Sequence, residues 1–317
     1  MCARYRMRDV TWAAGNTLQI PLDSLPPGQR VRRIELHVGI SGTKDAADAT
    51  AGNRAALAIT RIQVGNLVNV TGWSLWQLMK QIYGREVGVP TDIPGSGTTW
   101  TFDFPIEIPF KDPRQPGADD GSIPTELLAG KVVEITFAAA NVWGVGNLIT
   151  TAGTVRCQCE TSHGQGIPQI QQIGEFDPGA TSFQILPGVY KDLFLLDGTA
   201  DGTVTTAEVT SVDLHGDGEY WLNNALHQQI VSAYNTSGIR DSASNVTINA
   251  AAQLPLVWMP QDGKANLTKQ FAVEKMGQIQ LTGSLNPRVV YWRAVEKDEV
   301  TLKSIAAQIS EIGRAHV

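Results

Sequence analysis

A short alternating strand followed by a one-sided helix occurs twice in the chain. The first copy is residues 59–84, ITRIQVGNLVNVTGWSLWQLMKQIYG, and the second is residues 209–235, VTSVDLHGDGEYWLNNALHQQIVSAYN. Alternate strand residues match at an offset of 150, and apolar residues three and four apart then indicate an amphipathic helix. The matching strand residues are Thr60, Ile62 and Val64 in the first copy and Thr210, Val212 and Leu214 in the second.

The starts of both helices are predicted from side chains that can cap a helix. Ser74 with Gln77 three residues later has the spacing of a capping box, which predicts the first N-terminus. Asn224 predicts the second. The helices end at Tyr83 and Tyr234, which are 151 residues apart. We therefore expect the two helices to be shifted by one residue relative to the strands.

The repeat continues beyond the helix. Residues 100–110, WTFDFPIEIPF, place six apolar side chains on one parity, which predicts a long half-buried strand. At the same offset, Phe104-Pro105-Ile106 matches Leu254-Pro255-Leu256. A repeat of this length is a domain rather than a solenoid unit. Further strands are predicted at residues 17–22, 31–38, 131–137 and 155–161, and then at 190–196, 209–214, 254–259, 277–281 and 288–295.

Several short strands joined by turn-rich loops, with one helix in each half, are typical of a sandwich or jelly roll. We therefore predict an all-β chain of two tandem eight-stranded jelly-roll barrels, each with a short helix after a mid-barrel strand. The first barrel is expected at residues 1–162 and the second at 163–310, ending in a C-terminal helix. Residues 161–182 have the composition of a linker.

Two loops, residues 111–126 and 237–252, are candidates for outward extensions or intersubunit contacts, and plain solvated loops are an equally open interpretation. The last seven residues, EIGRAHV, resemble the translation of a common sequencing adapter. We therefore expect residues 311–317 to be a non-native tail.

Composition narrows the classes of function. The 317 residues carry a formal net charge of −6, which does not favour nucleic-acid binding through a basic surface. No apolar run is long enough to span a bilayer, and the N-terminus lacks the apolar core of a signal peptide. Arg4, Arg6 and Arg8 offer only modest attraction to anionic lipid, so a frayed, solvated terminus is favoured.

The candidate metal ligands have simpler explanations. Cys157 and Cys159 share one face of a predicted strand, which favours two small core residues over a metal site. Residues 197–208, DGTADGTVTTAE, match a calcium-binding EF-hand loop at several positions, with Asp197 first and Glu208 last. The segment that follows is the repeated strand instead of a helix, so a turn between strands is favoured over a calcium site.

Catalytic patterns are weak. The five histidines occur in no recognised catalytic motif, and no phosphate-binding loop is present. We expect no enzyme activity, no catalytic residue, no cofactor and no metal. The main alternative is a secreted two-domain β-sandwich that binds or cleaves glycans, possibly with calcium at residues 197–208. Its two acids could lie far apart in sequence, and the eight tryptophans could form a sugar-binding face.

The chain resembles the double jelly-roll major capsid proteins of icosahedral viruses, and most of all those of the internal-membrane tectivirus- and corticovirus-type phages. The residues that carry this resemblance are ITRIQVGNLVNVTGWSLWQL, with Gly72-Trp73-x-Leu75, the two strands that flank the loop at 111–126, and the restart FQILPGVYKDLFLL. The similarity covers residues 17–295 and is one of pattern and order.

The resemblance implies a structural protein that forms a homotrimer, in which six barrels make a pseudo-hexameric capsomer. It implies contacts with neighbouring capsomers, with minor capsid and penton proteins and with an internal viral membrane, but no direct contact with nucleic acid. The location it implies is the virion, after synthesis in the host cytoplasm. Six similar blocks from three chains make a hexagonal tile, which suits a closed shell.

Overall fold

A computed structural model of the chain describes residues 2–43, 56–83, 100–114, 121–139, 149–164, 170–197, 204, 208–236, 253–258, 271–284 and 287–295. Four predicted features lie wholly or largely outside these residues: most of the loop at 197–208, the loop at 237–252, the C-terminal helix and the tail at 311–317. Within the described ranges, no helix combines the length and the apolar character needed to cross a bilayer.

In the described part of residues 1–162, the alternating segments form strands as predicted. The elements are β1 (Cys2–Arg6), β2 (Val10–Ala13), β3 (Thr17–Pro21), β4 (Arg30–Thr43), β5 (Ile59–Val64), β6 (Val68–Val70), α1 (Gly72–Tyr83), β7 (Trp100–Pro109), β8 (Ile123–Pro124), β9 (Val132–Phe137) and β10 (Ile149–Ser162). Strands β3, β4, β7, β9 and β10 confirm the predictions at residues 17–22, 31–38, 100–110, 131–137 and 155–161.

The second half repeats this order. Its elements are β11 (Ile170–Phe176), β12 (Ser182–Ile185), β13 (Gly188–Leu196), β14 (Ser211–Gly216), β15 (Glu219–Leu226), α2 (His227–Thr236), β16 (Gln253–Val257), β17 (Phe271–Val273), β18 (Gly277–Thr282) and β19 (Arg288–Val295). Strands β13, β14, β16, β18 and β19 correspond to the five predicted strands, although β14 begins two residues later than expected.

The sheets show the same topology in both halves. In the first half they run β1–β10–β4–β7, with β2 on β10 and β8 on β4, and β3–β9–β5–β6. In the second they run β11–β19–β13–β16, with β17 on β13, and β12–β18–β14–β15. Two four-stranded sheets built from eight principal strands form a jelly roll. This confirms the predicted all-β pair of barrels, which we call barrel 1 (β1–β10) and barrel 2 (β11–β19).

A shared irregularity aligns the two barrels residue by residue. The pairing of β4 with β10 skips Arg32, and the pairing of β13 with β19 skips Lys191. Such a bulge leaves one residue unpaired in the ladder and increases the local twist. Superimposing the two bulges makes Arg33 of β4 equivalent to Asp192 of β13.

Inward-facing apolar side chains fill each barrel. In barrel 1 the rings of Trp12 and Phe137 stack across the two sheets with 4.0 Å between their centroids. Cys157 and Cys159 are free and fully buried on β10, which confirms that they are core residues. Each large side chain buried in this way contributes about 1.5–3 kcal/mol relative to exposure.

Helix α1 begins three residues earlier than predicted, because its cap is three residues before Ser74. The cap is Thr71, whose Oγ1 accepts a hydrogen bond of 3.1 Å from the backbone N–H of Ser74. The prediction of Ser74 as N-cap is therefore wrong. Position 72 must be glycine, because a Cβ there would lie 2.6 Å from the carbonyl oxygen of Ala56.

Helix α2 begins later than predicted. Asn224 is not its cap, because β15 continues to Leu226 and Asn224 has a φ of 45° within it. The helix starts at His227, and the side chain of Gln229 accepts a 3.1 Å hydrogen bond from the N–H of Leu226. The two helices start 155 residues apart, whereas the predicted caps Ser74 and Asn224 are 150 apart, because β15 has eight residues where β6 has three.

Two other expectations are wrong, one about the segment between the barrels and one about the N-terminus. The expected linker at residues 161–182 contains β11, in which Gln171 is fully buried. The N-terminus is not frayed, since β1 pairs with β10 over five residues. Both strands carry polar side chains, which concealed their alternation.

Candidate assembly surfaces

The two barrels share a continuous sheet. Strand β11 lies parallel to β6, with Ile173 opposite Val68 and Gly174 opposite Asn69. The N–H of Ile173 donates a 2.9 Å hydrogen bond to the carbonyl oxygen of Leu67. This contact, which we call the intrachain junction, joins one sheet of each barrel and covers the edge that β6 would otherwise expose.

Strand β13 is buried on both faces at this junction. Leu193 and Leu195 lie in the core of barrel 2. Phe194 and Leu196 point the other way and belong to the core of barrel 1. A strand covered on both sides carries a near-continuous apolar run, as FLL at the end of β13 does. The core of barrel 1 therefore extends into barrel 2.

A buried charged cluster crosses the same junction. Arg114 follows β7 of barrel 1, and its Nε lies 2.9 Å from Oδ1 of Asp112. Its Nη2 lies 2.5 Å from Oδ2 of Asp192 on β13. All three side chains are nearly inaccessible to solvent. Charges buried this deeply persist only when they are paired and hydrogen-bonded, so the cluster fixes the loop of one barrel against the strand of the other.

The two carboxyl groups respond differently to this environment. Burial acts to raise the pKa of Asp112, but the attraction of Arg114 outweighs it and the net pKa is lowered. Burial raises the pKa of Asp192, and Arg114 offsets this only in part. Of the two carboxyl groups, Asp192 therefore depends more on the guanidinium of Arg114 to remain ionised.

The helices add two further contacts. The hydroxyl of Tyr234 on α2 donates a 2.9 Å hydrogen bond to Gln81 on α1. Glu175 on β11 accepts a hydrogen bond of 3.2 Å from the hydroxyl of Thr71 and lies 2.5 Å from Nη1 of Arg288. A carboxylate beside the first turn of α1 also complements the helix dipole.

The equivalent edge of barrel 2 is open. Strand β15 has the place of β6, but among the strands that the structure describes only β14 pairs with it. Most of its residues are exposed or half-buried, and Tyr220 and Leu226 are 60% and 46% exposed. In the described part of barrel 1, β1 is likewise an edge strand that pairs only with β10. We call the outer side of β15 the open edge.

Helices α1 and α2 differ in burial, as the two edges do. Ten of the twelve residues of α1 are buried, including Trp76. In α2, residues 227–234 have described burial, and only His227, Ile230 and Tyr234 are buried. The outward side chains of α2 are mostly polar.

The outer face of barrel 1 is charged where that of barrel 2 is apolar. Nη2 of Arg33 lies 2.8 Å from Glu160 and 2.9 Å from Glu35, and its Nη1 lies 3.1 Å from Glu107. Burial acts to lower the pKa of Arg33, but these carboxylates outweigh it and raise the pKa. At the equivalent positions of barrel 2 the intrachain junction is mostly apolar, because Phe194 and Trp292 replace Glu35 and Glu160, while Asp192 of the buried charged cluster replaces Arg33.

A cavity of about 180 Å³ lies beside this network, lined by Arg32, Arg33, Tyr83, Pro109, Lys111, Pro113 and Glu160. Burial, followed by the nearby Glu107 carboxylate, raises the pKa of Tyr83, so its hydroxyl donates a hydrogen bond to Glu107.

No family model and no curated protein matches the chain. Solved structures match nearly all of it. The major capsid protein of Sulfolobus turreted icosahedral virus (STIV) gives a TM-score of 0.61 at 12% identity, covering 93% of this chain and 96% of that chain. Major capsid protein P2 of bacteriophage PM2 gives 0.54 at 13% identity, covering 94% and 99%. The Faustovirus major capsid protein gives 0.55 at 10% identity, covering 93% and 90%.

The chain is a double jelly roll. The matches extend over both barrels and the junction between them, which is why they cover nearly all of this chain and of each matched protein. The matched double jelly rolls include proteins from STIV and Faustovirus as well as from a phage, so the fold similarity is wider than the phages named by the sequence resemblance.

The segment that matches an EF-hand loop, residues 197–208, falls largely outside the described part of this double jelly roll. Asp197 is buried at the end of β13, and the carbonyl oxygen of Val204 lies 3.0 Å from Nε2 of His227. Within the described residues, no three His, Cys, Asp or Glu side chains converge on a point where a metal ion could bind. The expectation of a turn rather than a calcium site at residues 197–208 stays a prediction.

The tryptophans whose burial is described do not form the exposed groove that a sugar-binding double jelly roll would need. Trp12, Trp73, Trp76 and Trp292 are buried, whereas Trp221 and Trp258 are half-buried. Trp73 and Trp76 stack on α1 with 5.4 Å between centroids.

The charged residues of the junction were not predicted from the sequence. Arg114 lies in the loop at 111–126, for which an outward extension, an intersubunit contact or a plain solvated loop was expected. Asp192 interrupts the apolar run YKDLFLL. That acidic residue inside an otherwise buried strand was the available signal, because a fully buried carboxylate requires a cationic partner.

Proposed function

We propose that this chain is the major capsid protein of an icosahedral virus and has a structural, non-enzymatic role. The observation that carries the proposal is the pair of topologically identical barrels held side by side by one sheet. End-to-end similarity to three viral major capsid proteins supports it.

The geometry suits a homotrimer that forms a pseudo-hexameric capsomer. The intrachain junction already places two equivalent barrels next to each other, and three such pairs complete a six-barrel ring under threefold symmetry. The open edge and the outer edge of β1 are two of the sheet edges that no described strand covers, and they could supply the two sides of a contact repeated around such a ring.

The partners we propose are neighbouring capsomers, minor capsid and penton proteins, and an internal viral membrane, with the virion as the location and the host cytoplasm as the site of synthesis. The net charge of −6 supports a shell protein that does not contact the genome directly.

We propose residues 1–162 as barrel 1 and residues 163–310 as barrel 2. The end of β10 at Ser162 and the start of β11 at Ile170 support a boundary between them.

Sedimentation equilibrium over a dilution series, with and without a calcium chelator, tests the proposal. A trimeric capsomer has three times the 34.2 kDa mass of one chain, and this mass does not change when the chelator is added. Negative-stain images of the same sample then show particles of hexagonal outline. A monomer at every concentration, or a mass that depends on calcium, contradicts the proposal.

A further inference from the structure

The open edge of β15 and the free edge of β1 are the two sides of a contact that the chain already contains once. We propose that β15 of one chain takes β1 of a second copy as its parallel neighbour, as β6 takes β11 within the chain. This rests on the proposed trimer and names the strands that close it.

The internal repeat gives the register on β15. Within barrel 1, Val64 of β5 faces Val68 of β6. In barrel 2, Leu214 of β14 faces Leu222 of β15. Val64 and Leu214 are equivalent at the offset of 150, so Leu222 has the place of Val68.

The bulge alignment gives the register on β1. Since Arg33 is equivalent to Asp192, their partners Glu160 and Trp292 are equivalent too. Ile173 of β11 faces Trp292, and Arg4 of β1 faces Glu160. Arg4 therefore has the place of Ile173.

These two equivalences predict one contact. Val68 faces Ile173 inside the chain, so Leu222 faces Arg4 of the neighbouring copy. Among the described strands, none pairs with the outer side of β1 or of β15, and the side chain of Arg4 is 59% exposed.

The backbone of β1 is oriented for this contact. The N–H of Met7 donates a 2.8 Å hydrogen bond to Cys157 on β10. N–H groups alternate in direction along a strand, so the N–H of Arg4 points away from β10. The N–H of Ile173 is the group that bonds to β6 in the intrachain junction.

The polarity of the two faces also agrees. At the intrachain junction a mostly apolar face of barrel 2, with Asp192 as its buried charge, meets the buried helix α1. At the proposed contact the charged outer face of barrel 1, around Arg33, meets the polar outward side of α2. Interfaces between chains that fold separately keep more polar surface than a core does.

Cysteine crosslinking tests the register. In a Cys2→Ser background, which removes the exposed native thiol, Arg4→Cys is combined with Leu222→Cys. Facing strand residues meet the Cα separation of about 4.4–6.8 Å that a disulfide needs. We expect oxidation to give a covalent species that stops at three chains on a non-reducing gel. The control pairs Arg4→Cys with Gln184→Cys on β12, the opposite edge of the same sheet, and stays uncrosslinked.

A trimer by mass that crosslinks no better with Leu222→Cys than with Gln184→Cys overturns the strand pairing and leaves the capsomer intact. A chain that is monomeric by mass overturns the proposed function, and the pairing with it.

A backbone variant gives a second, independent test. Arg4→Pro removes the N–H that points outward, while the ladder between β1 and β10 keeps its own hydrogen bonds. We expect the dissociation constant of the trimer to rise at least tenfold with little change in monomer melting temperature, whereas Arg4→Ala changes the constant far less. Equal effects of the two variants contradict the proposed hydrogen bond.

Discussion

The edge of barrel 1 formed by β6 and α1 is closed, whereas the equivalent edge of barrel 2, formed by β15 and α2, is open. The closed edge is covered by β11 and β13 of the same chain and packs like a domain core. The open edge has the same topology but exposes Tyr220 and the polar side of α2. The difference shows how one fold can serve two kinds of neighbour.

The other barrel of the same chain is always present, so the contact between the two barrels can be apolar before any second chain arrives. A neighbour from another chain arrives only after each chain has folded in water, so its contact must tolerate solvent meanwhile. The charged network around Arg33 and the polar surface of α2 meet that need. The comparison therefore predicts large losses of chain stability on the closed side and small ones on the open side.

The largest loss is expected from Trp76→Ala in α1. Trp76 is fully buried, and removing such a ring costs about 3–5 kcal/mol of unfolding free energy. The matched control is Val231→Ala, at the same helical position of α2, where the half-buried side chain loses less than about 1 kcal/mol. Urea unfolding measures both, and equal losses would remove the distinction between the two edges.

The next effect concerns the buried charges of the junction. Arg114→Ala leaves Asp112 and Asp192 without their guanidinium partner, and we expect a loss of about 3 kcal/mol. Arg33→Ala, whose side chain is 26% exposed, is the control and costs about 1 kcal/mol. Guanidinium chloride is unsuitable because it screens ion pairs, so urea is used here too. A larger loss for Arg33→Ala would contradict the comparison.

Only some of the features behind these predictions could be predicted from the sequence. The strands with clean alternation, such as β7 and β9, and the duplication of barrels were predictable, because one side of each strand faces a core and the other faces water. Strand β11 was mistaken for a linker because Gln171 and Glu175 are polar although they lie in the junction. Their burial depends on a second barrel, which local pattern does not encode.

The candidate surfaces were predictable only in outline. Strand β15 was missed because EYWLNNAL has polar residues on its open side, and the start of α2 was placed inside it. The pairing of Arg114 with Asp192 joins residues far apart in sequence, so neither residue alone indicated it. The positions of such partners follow from the fold rather than from spacing.

A smaller effect is expected at the start of α1. Thr71→Ala removes both the cap and the hydrogen bond to Glu175, with a loss of about 1 kcal/mol. Thr71→Ser keeps the hydroxyl and should retain most of the stability. Thermal unfolding monitored by circular dichroism compares the two, and an equal fall in both would show that the methyl group rather than the hydroxyl matters.

The smallest effect lies in the turn beside the open edge. The carboxylate of Asp217 accepts backbone hydrogen bonds from Glu274, Lys275 and Met276, which lower its pKa. A lowered pKa stabilises the fold fully above the unfolded value of about 3.9, and this stabilisation is lost as the pH falls through the folded pKa. Asp217→Asn should therefore melt earlier than the native chain near neutral pH, with the difference vanishing in acid. A difference that grows on acidification would reverse the assignment.

Hydrogen exchange measured at several protein concentrations tests the central claim most directly. The amides of β6 and β11 should be protected at every concentration, because their contact lies within one chain. Those of β15 and β1 should exchange quickly in dilute samples and become protected together as the chain trimerises. If β15 and β1 still exchange quickly in a fully trimeric sample, the open edge is not where the copies meet.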